Sequence, residues 1–157
     1  MIYVFDDNSL SNILNHYYPD RFPSFWAKYA EAISDEFLIS VREVMFELRE
    51  KYDINAIDQF TKYNPVFFSE PTFDELGFIT RIYSVSHFRQ NLEKKKLLKG
   101  GSFADPFIIA KAYVVNGTVV TEEKYKDNAA KIPNICKHFG IKCVNFEGFM
   151  QDIDWVF

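Results

Sequence analysis

Five carboxylates stand at the borders of apolar segments in this sequence. Asp6 closes the segment IYVFD, and Glu123 stands two residues beyond TVVT. Glu43 and Glu47 follow the segment EFLIS, and Asp105 opens the apolar segment DPFIIAKAYVV. Carboxylates gathered in a cleft repel one another and lose hydration, so a divalent cation is their natural partner. Because the ligands would all be oxygens, Mg²⁺ or Mn²⁺ is favoured over zinc, and phosphodiester chemistry is indicated.

The apolar segments themselves predict the sheet that would bring these acids together. IYVFD, EFLIS, TVVT and IKCVNF are short and rich in β-branched or aromatic residues, and helical segments separate them. This alternation predicts one α/β domain over residues 1–157, with a central, mainly parallel sheet of about four strands between two helical layers. Ligands of such folds bind at the carboxyl ends of the strands, where the acids fall.

Helical spacing and capping residues predict the segments between the strands. VREVMFELREKY places Val44 and Leu48 on one apolar stripe, with Glu43 and Glu47 together on its flank. The chain from Thr72 to the glycine pair Gly100–Gly101 is expected to be helical, in one or two pieces. A helix is also predicted from about Asp127 to Phe139, and NPVFFSEP is expected to be a turn-rich aromatic stretch.

Composition and charge exclude several classes of function. The chain has 157 residues and a net charge of −4, which argues against coating nucleic acid by bulk attraction. No apolar run approaches the roughly 18 residues of a membrane span, so we expect no membrane partner and a cytoplasmic location. Cys136 and Cys143 form no metal-ligand spacing and are expected to be free thiols.

Each acid also has an ordinary structural explanation. Asp6 could cap the helix that follows it, and Asp105 could cap the next helix because Pro106 suits a first helical position. Glu47 could be a solvated charge on a helix flank, and Glu123 a charge of a surface loop. Only their common position at one end of a parallel sheet favours a shared site.

The order and setting of four short segments resemble the PIN domain family of metal-dependent nucleases, which includes toxins of prokaryotic toxin and antitoxin pairs. The segments are IYVFDDN, ISVREVMFEL, FADPFIIAKA and TVVTEE, which together run from Ile2 to Glu123. The closing helix and the IKCVNF segment fit the last unit of that fold. The resemblance therefore implies a three-layer α/β/α fold of PIN type.

By this resemblance the catalytic and metal-binding acids are Asp6, Glu47, Asp105 and Glu123, while Asn8 matches an amide that assists the site. They would hold Mg²⁺ or Mn²⁺ and activate water to hydrolyse RNA, so the expected activity is that of an endoribonuclease. Expected partners are an RNA substrate, an antitoxin protein and a second copy of the chain.

Three positions depart from the family pattern. Asp7 stands where a small hydroxyl residue is usual, and Glu123 where Asp is commoner. The spacing before Glu47 is one residue longer, which leaves Glu43 as a rival for the second acid. The sequence MFEL around Glu47 matches the family pattern better.

Basic and aromatic residues near the glycine pair have two interpretations. Lys94, Lys95, Lys96 and Lys99 could hold phosphates, or could form a solvated helix end where cations are favourable. Phe67, Phe68 and Phe73 could stack on bases or receive a partner helix, or could belong to the core. The three histidines have no Ser or Cys partner in a recognisable arrangement, and are expected to have no catalytic role. They are His16, His87 and His138.

Other protein classes also begin with an apolar strand followed by acids. A phosphorelay receiver would need a buried strand ending in an acceptor Asp near residue 55, where KYDINAIDQF is polar and helical. A haloacid-dehalogenase-type phosphatase would need a second Asp where Asn8 stands. The stronger alternative is a catalytically inactive PIN-like scaffold that binds a protein partner or RNA.

Overall fold

The computed structural model describes residues 1–157 and contains a five-stranded sheet with nine helices. The strands are β1 (Tyr3–Phe5), β2 (Leu38–Val41), β3 (Phe68–Ser69), β4 (Thr118–Val120) and β5 (Cys143–Val144). The helices are α1 (Asp7–His16), α2 (Pro23–Ser34), α3 (Arg42–Arg49), α4 (Ile54–Thr61), α5 (Phe73–Ser84), α6 (Ser86–Lys99), α7 (Asp105–Val114), α8 (Ile132–Phe139) and α9 (Phe146–Asp152).

All strand pairs are parallel, and the spatial order is β3-β2-β1-β4-β5. The chain builds outward from β1 through β2 to β3 and then returns to the other side of β1 to form β4. The order therefore reverses between β1 and β4, and the crevice at their carboxyl ends is where such folds bind ligands. The α/β fold with a parallel sheet covered on both faces, predicted from the sequence, is confirmed.

Helices cover both faces of the central strand because side chains alternate along it. Tyr3 and Phe5 point to one face, where each ring meets Phe149 of α9 with centroids 4.9 Å apart. Tyr29 of α2 packs edge-on against Phe5 on the same face. Helix α7 contacts β1, β2 and β4 and covers the other face. The strand is therefore fully buried, which fixes the position of the residues that follow it.

Three details differ from the sequence predictions. NPVFFSEP contains β3, because Ser40 of β2 donates its N–H to the carbonyl of Phe67 and pairs with Phe68. Helix α8 begins at Ile132 and not near Asp127, since Pro133 sits in its first turn, where a proline ring is best tolerated.

The third difference is α9, which sequence reasoning missed beyond the last strand. It starts at Phe146 and is capped by Asn145, whose side chain accepts the N–H of Gly148 at 2.8 Å. The C-terminus of α8 agrees with prediction, since Gly140 follows it with a φ of 70°.

Two other expectations concern thiols and the membrane. Cys136 and Cys143 are both free thiols, and Cys136 is buried. None of the nine helices has the length and apolar character needed to cross a bilayer.

Candidate metal centre

Asp6 is the first residue after β1 and uses its two carboxylate oxygens differently. Its Oδ1 accepts the N–H of Asp7 at 2.7 Å and so caps α1. Its Oδ2 accepts the hydroxyl of Thr121 at 2.9 Å. With only 3% of the residue exposed, Asp6 is both a helix cap and a buried charge in the crevice between β1 and β4.

Thr121 connects the ends of β1 and β4, and sequence reasoning missed it. Besides donating to Asp6, its Oγ1 accepts the backbone N–H of Glu123 at 3.2 Å. It also accepts from the side-chain amide of Asn8 at 3.3 Å. The available signal was a hydroxyl residue that ends an apolar strand directly before two acids. Thr121 thus fixes the relative positions of Asp6 and Glu123.

Asn8, predicted to assist cofactor binding, holds the loop after β4 against α1. Its Nδ2 contacts Thr121, and its Oδ1 accepts the N–H of Glu122 at 3.0 Å. Both ends of the amide are therefore engaged by the protein. The structure gives Asn8 a positioning role, two residues from Asp6.

Glu43 and Glu47, the two candidates for the second acid, differ in their distance from Asp6 and Asp7. One carboxylate oxygen each from Asp6, Asp7 and Glu47 lie within 4.8 Å of one another. Glu43 lies one turn earlier on the helix and is outside this group. Its Oε2 accepts from the guanidinium of Arg42 at 2.9 Å. The geometry thus favours Glu47, which is 2% exposed, over Glu43.

Asp7, whose role the sequence left unexplained, is a member of the same group. It is half-buried, and its Oδ2 pairs with the ammonium of Lys51 at 2.8 Å. Lys51 follows α3, so this ion pair joins the start of α1 to the end of the helix that carries Glu47. The additional acid, Asp7, is thus already paired with a cation, Lys51.

Asp105 and Glu123 form the other half of the site. Asp105 is the first residue of α7, and the capping residue Ala104 makes no side-chain cap bond. The carboxylate of Asp105 instead pairs with Lys95 of α6, which also pairs with Glu123 Oε1 at 2.7 Å. The other oxygen of Glu123 accepts the N–H of Ile132 at the start of α8, at 3.2 Å. Asp105 is therefore not the cap of α7, and Glu123 both pairs with Lys95 and caps the start of α8.

These five carboxylates, called the acidic cluster below, come from four separate regions of the chain. They are Asp6, Asp7, Glu47, Asp105 and Glu123. Three lysines pair with four of them: Lys51 with Asp7, Lys95 with Asp105 and Glu123, and Lys99 with Glu47. Five carboxylates against three ammonium groups leave two negative charges uncompensated.

The pKa values reflect this crowding of charge. Burial raises the pKa of Asp6 well above its ordinary value, and the charges of Asp105, Asp7 and Glu123 raise it further. Burial also raises the pKa of Asp105, although the neighbouring ammonium of Lys95 opposes the shift. For Lys95, burial lowers the pKa, but the charges of Asp105 and Glu123 outweigh burial and raise it. The cluster is therefore short of positive charge.

The donor set fits a hard divalent cation. Glu47 Oε1 is buried and has no hydrogen-bond partner, which is costly for a carboxylate in a protein interior. The cluster offers carboxylate oxygens and no thiol or imidazole, the combination that suits Mg²⁺ or Mn²⁺. One such ion would also supply positive charge to a cluster that is short of it. Asp6, Asp7 and Glu47 have oxygens close enough together to hold it. The predicted ligands Asp105 and Glu123 lie outside that group, although their charges raise the pKa of Asp6.

The remaining residues considered in the sequence lie outside the cluster. His16 ends α1 and is exposed, His87 contacts Asn91 on its own helix, and His138 packs edge-on against Phe88. Among the aromatic residues, Phe67 and Phe68 are core residues, whereas Phe73 is 90% exposed. Lys94 and Lys96 are exposed on α6. The cations of the site are thus Lys51, Lys95 and Lys99.

A family model described as a domain of unknown function, DUF4411, matches residues 3–157. This range contains the whole acidic cluster and all five strands of the sheet. No curated protein shows significant similarity to the chain.

Proposed function

This chain belongs to the DUF4411 family, and from its acidic cluster we propose that it is a Mg²⁺- or Mn²⁺-dependent endoribonuclease of PIN type. The observation that carries the proposal is the convergence of acids from four regions at the crevice between β1 and β4. Asp6 follows β1, Glu47 lies on the helix after β2, Asp105 opens α7, and Glu123 follows β4. This is the order and setting in which the sequence resembles PIN domains.

The proposed reaction is hydrolysis of an RNA phosphodiester bond by water. A divalent cation, when bound, acts as a Lewis acid that lowers the pKa of water and stabilises charge on the phosphate. The protein supplies oriented ligands, because Thr121 and the N–H of Asp7 hold Asp6 in place. The N–H of Ile132 holds one oxygen of Glu123 and leaves Oε1 directed to the cluster.

The chain offers no side chain suited to covalent attack at this place. Its three histidines lie outside the cluster, so none can act as the base for a serine or cysteine. The hydroxyl of Thr121 is engaged by Asp6 and by two N–H donors. Direct attack by water is therefore the reaction that these residues support best.

RNA, rather than DNA, is the proposed substrate because of the resemblance to PIN nucleases. The same resemblance supports a role as the toxin of a toxin and antitoxin pair, with a second copy of the chain and an antitoxin protein as partners. Inducing the chain in cells, with and without the neighbouring gene, tests this role. Growth arrest with defined new RNA ends is expected, and these ends should be absent for Asp105→Asn.

The nuclease activity is tested with purified protein and RNA. Cleavage should require Mg²⁺ or Mn²⁺, stop with EDTA, and fall at least about 100-fold in Asp105→Asn and in Glu123→Gln. Glu122→Gln is the matched control, because Glu122 Oε1 instead accepts the N–H of Phe146 at 2.9 Å. Activity that survives in both Asp105→Asn and Glu123→Gln would reject this site.

One observation favours a second candidate, a noncatalytic scaffold that binds RNA or a protein. Lys95 and Lys99 already pair with Asp105, Glu123 and Glu47, so the cluster is partly neutralised by the chain itself. Metal titration distinguishes the two candidates. A scaffold would show no stabilisation by millimolar Mg²⁺ or Mn²⁺, whereas a nuclease would show a rise in melting temperature.

A further inference from the structure

Lys95 and Lys99 are the two lysines of α6 whose ammonium groups reach the acidic cluster. They are four residues apart and so lie on one face of the helix, about 6 Å apart along its axis. Lys94 and Lys96 lie on other faces and are exposed. The sequence run of lysines therefore contains two functionally different sets, which only the structure separates.

The two inward lysines use the carboxylate oxygens that a divalent cation would need. Lys95 Nζ pairs with Asp105 Oδ2 and with Glu123 Oε1, and Lys99 Nζ pairs with Glu47 Oε2. The second oxygen of Glu123 is already engaged by a backbone N–H, so Oε1 is its available ligand atom. Because an ammonium group and a divalent cation compete for these oxygens and repel each other at such short range, we expect metal binding to weaken the ion pairs and free the lysines.

The released ammonium groups would remain at the edge of the cluster. The side chains of Lys95 and Lys99 are 36% and 33% exposed, so each already reaches solvent. Only Phe88 and Leu92 of α6 are buried, and both lie in the first half of the helix. The second half of the helix has no buried residue, and Lys95 lies over the ring of Phe103 as well as beside the acids. Its lysines can therefore turn outward without disturbing the core.

We propose that Lys95 and Lys99 form a phosphate-binding pair for a single-stranded polynucleotide, masked by the acidic cluster until a divalent cation takes its carboxylates. This inference rests on the proposed function for the identity of the ligand. It adds the residues that bind the phosphates, and an order in which the cation binds before the polynucleotide. Charge-assisted bonds from ammonium groups to phosphate oxygens are strong enough to carry such binding.

The masking is tested first, with Mn²⁺ alone as the probe. Mn²⁺ affinity is measured by calorimetric titration for Lys95→Met and Lys99→Met, with Lys94→Met and Lys96→Met as controls for the general loss of positive charge. We expect the inward substitutions to tighten Mn²⁺ binding about tenfold relative to the controls, because a competing charge-assisted bond is lost. Equal effects in all four variants would overturn the masking.

Phosphate binding is tested second, with a short fluorescein-labelled single-stranded RNA in Ca²⁺, which slows cleavage. Lys95→Met and Lys99→Met should each weaken RNA binding about five- to tenfold, and should each reduce the dependence of log affinity on log salt by about 0.7. Lys95→Arg and Lys99→Arg keep the charge and should restore most of the affinity. Unchanged RNA affinity and salt dependence in both Met variants would reject the phosphate pair.

The outcomes separate this inference from the nuclease proposal. Wild-type protein that binds Mn²⁺ and RNA as described but cuts nothing would reject the nuclease and leave the lysine pair supported. If the wild type cleaves RNA in a metal-dependent way but Lys95→Met and Lys99→Met leave RNA affinity unchanged, the nuclease proposal is supported and the lysine pair is rejected. If the wild type binds no Mn²⁺, the double Lys→Met variant must bind it, or the masking is wrong.

Discussion

Replacing Asp6 with asparagine should stabilise the protein in the absence of divalent ions. The carboxylate is buried beside three other negative charges that raise its pKa well above the ordinary value, so its ionised form opposes folding at neutral pH. Asparagine keeps an oxygen for the N–H of Asp7 and is an equally good N-cap. The substitution therefore removes a charge and keeps the cap bond. The amide nitrogen cannot accept the hydroxyl of Thr121, which can donate instead to Asn8 Oδ1 at 3.4 Å.

The expected size follows from the cost of an uncompensated buried charge. Each unit by which a carboxyl pKa is raised corresponds to about 1.4 kcal/mol, and we expect Asp6→Asn to add about 1–3 kcal/mol to the free energy of unfolding in EDTA. For a chain of this length, that corresponds to a rise in melting temperature of about 3–8 °C. Asp58→Asn, at an exposed position of α4, is the control and should change little.

Divalent ions should make the wild type more stable than Asp6→Asn. Mn²⁺ at about 100 times its dissociation constant adds about 2.7 kcal/mol to the wild type, whereas Asp6→Asn should gain much less because it lacks a ligand. The assay is thermal unfolding in EDTA and in a Mn²⁺ series. A lower melting temperature for Asp6→Asn in EDTA, together with an unchanged response to Mn²⁺, would refute the charge argument.

The sign of the pH dependence gives an independent check. A carboxyl whose pKa is raised by folding holds its proton more tightly in the folded state, so its penalty is fully present above the folded pKa. The penalty disappears as pH falls toward the ordinary carboxyl pKa of about 4. The advantage of Asp6→Asn in EDTA should therefore shrink between about pH 7 and pH 4, and a constant difference would count against this cause.

Three further substitutions test the structure around the site. Thr121→Val removes the hydroxyl that donates to Asp6 at 2.9 Å. It should lower the free energy of unfolding in urea by about 1–3 kcal/mol and lower the cleavage rate, whereas Thr121→Ser should keep the wild-type stability and rate. Gly140→Ala places a side chain at a φ of 70° with no neighbour within 4 Å, so backbone strain alone should cost about 1 kcal/mol in the same assay. Phe149→Ala empties the fully buried position against Tyr3 and Phe5, and should cost about 3–5 kcal/mol, seen as a lower urea midpoint.

The order of elements could be predicted because strong local signals mark most of them. β1, β2 and β4 are apolar segments, β1 and β2 are followed at once by helices, and Gly140 ends α8 as expected. β3 could not be predicted, since its two residues become a strand only through pairing with Ser40 and Val41 of β2. Helix α9 was missed although Asn145 caps it, because its seven residues give little periodic signal.

The acids of the site could be predicted from their positions after strands, but their partners could not. Asp6, Asp105 and Glu123 all lie at the crevice, as expected for the carboxyl end of a parallel sheet. The preference for Glu47 over Glu43 depends on which turn of α3 lies beside the start of α1, since both glutamates are on the same flank of the helix. The ion pairs of Lys95 and Lys99 depend on how α6 packs against α5, which in turn contacts α7, and no local pattern encodes this packing.

The most direct test of the metal centre is an anomalous scattering map from crystals grown with Mn²⁺. The proposed site predicts a peak bounded by carboxylate oxygens of Asp6, Glu47 and Asp105, with the ammonium groups of Lys95 and Lys99 turned away from the acids. A map without a peak there, with both lysines still paired to the cluster at millimolar Mn²⁺, would contradict the claim that these acids form a metal centre.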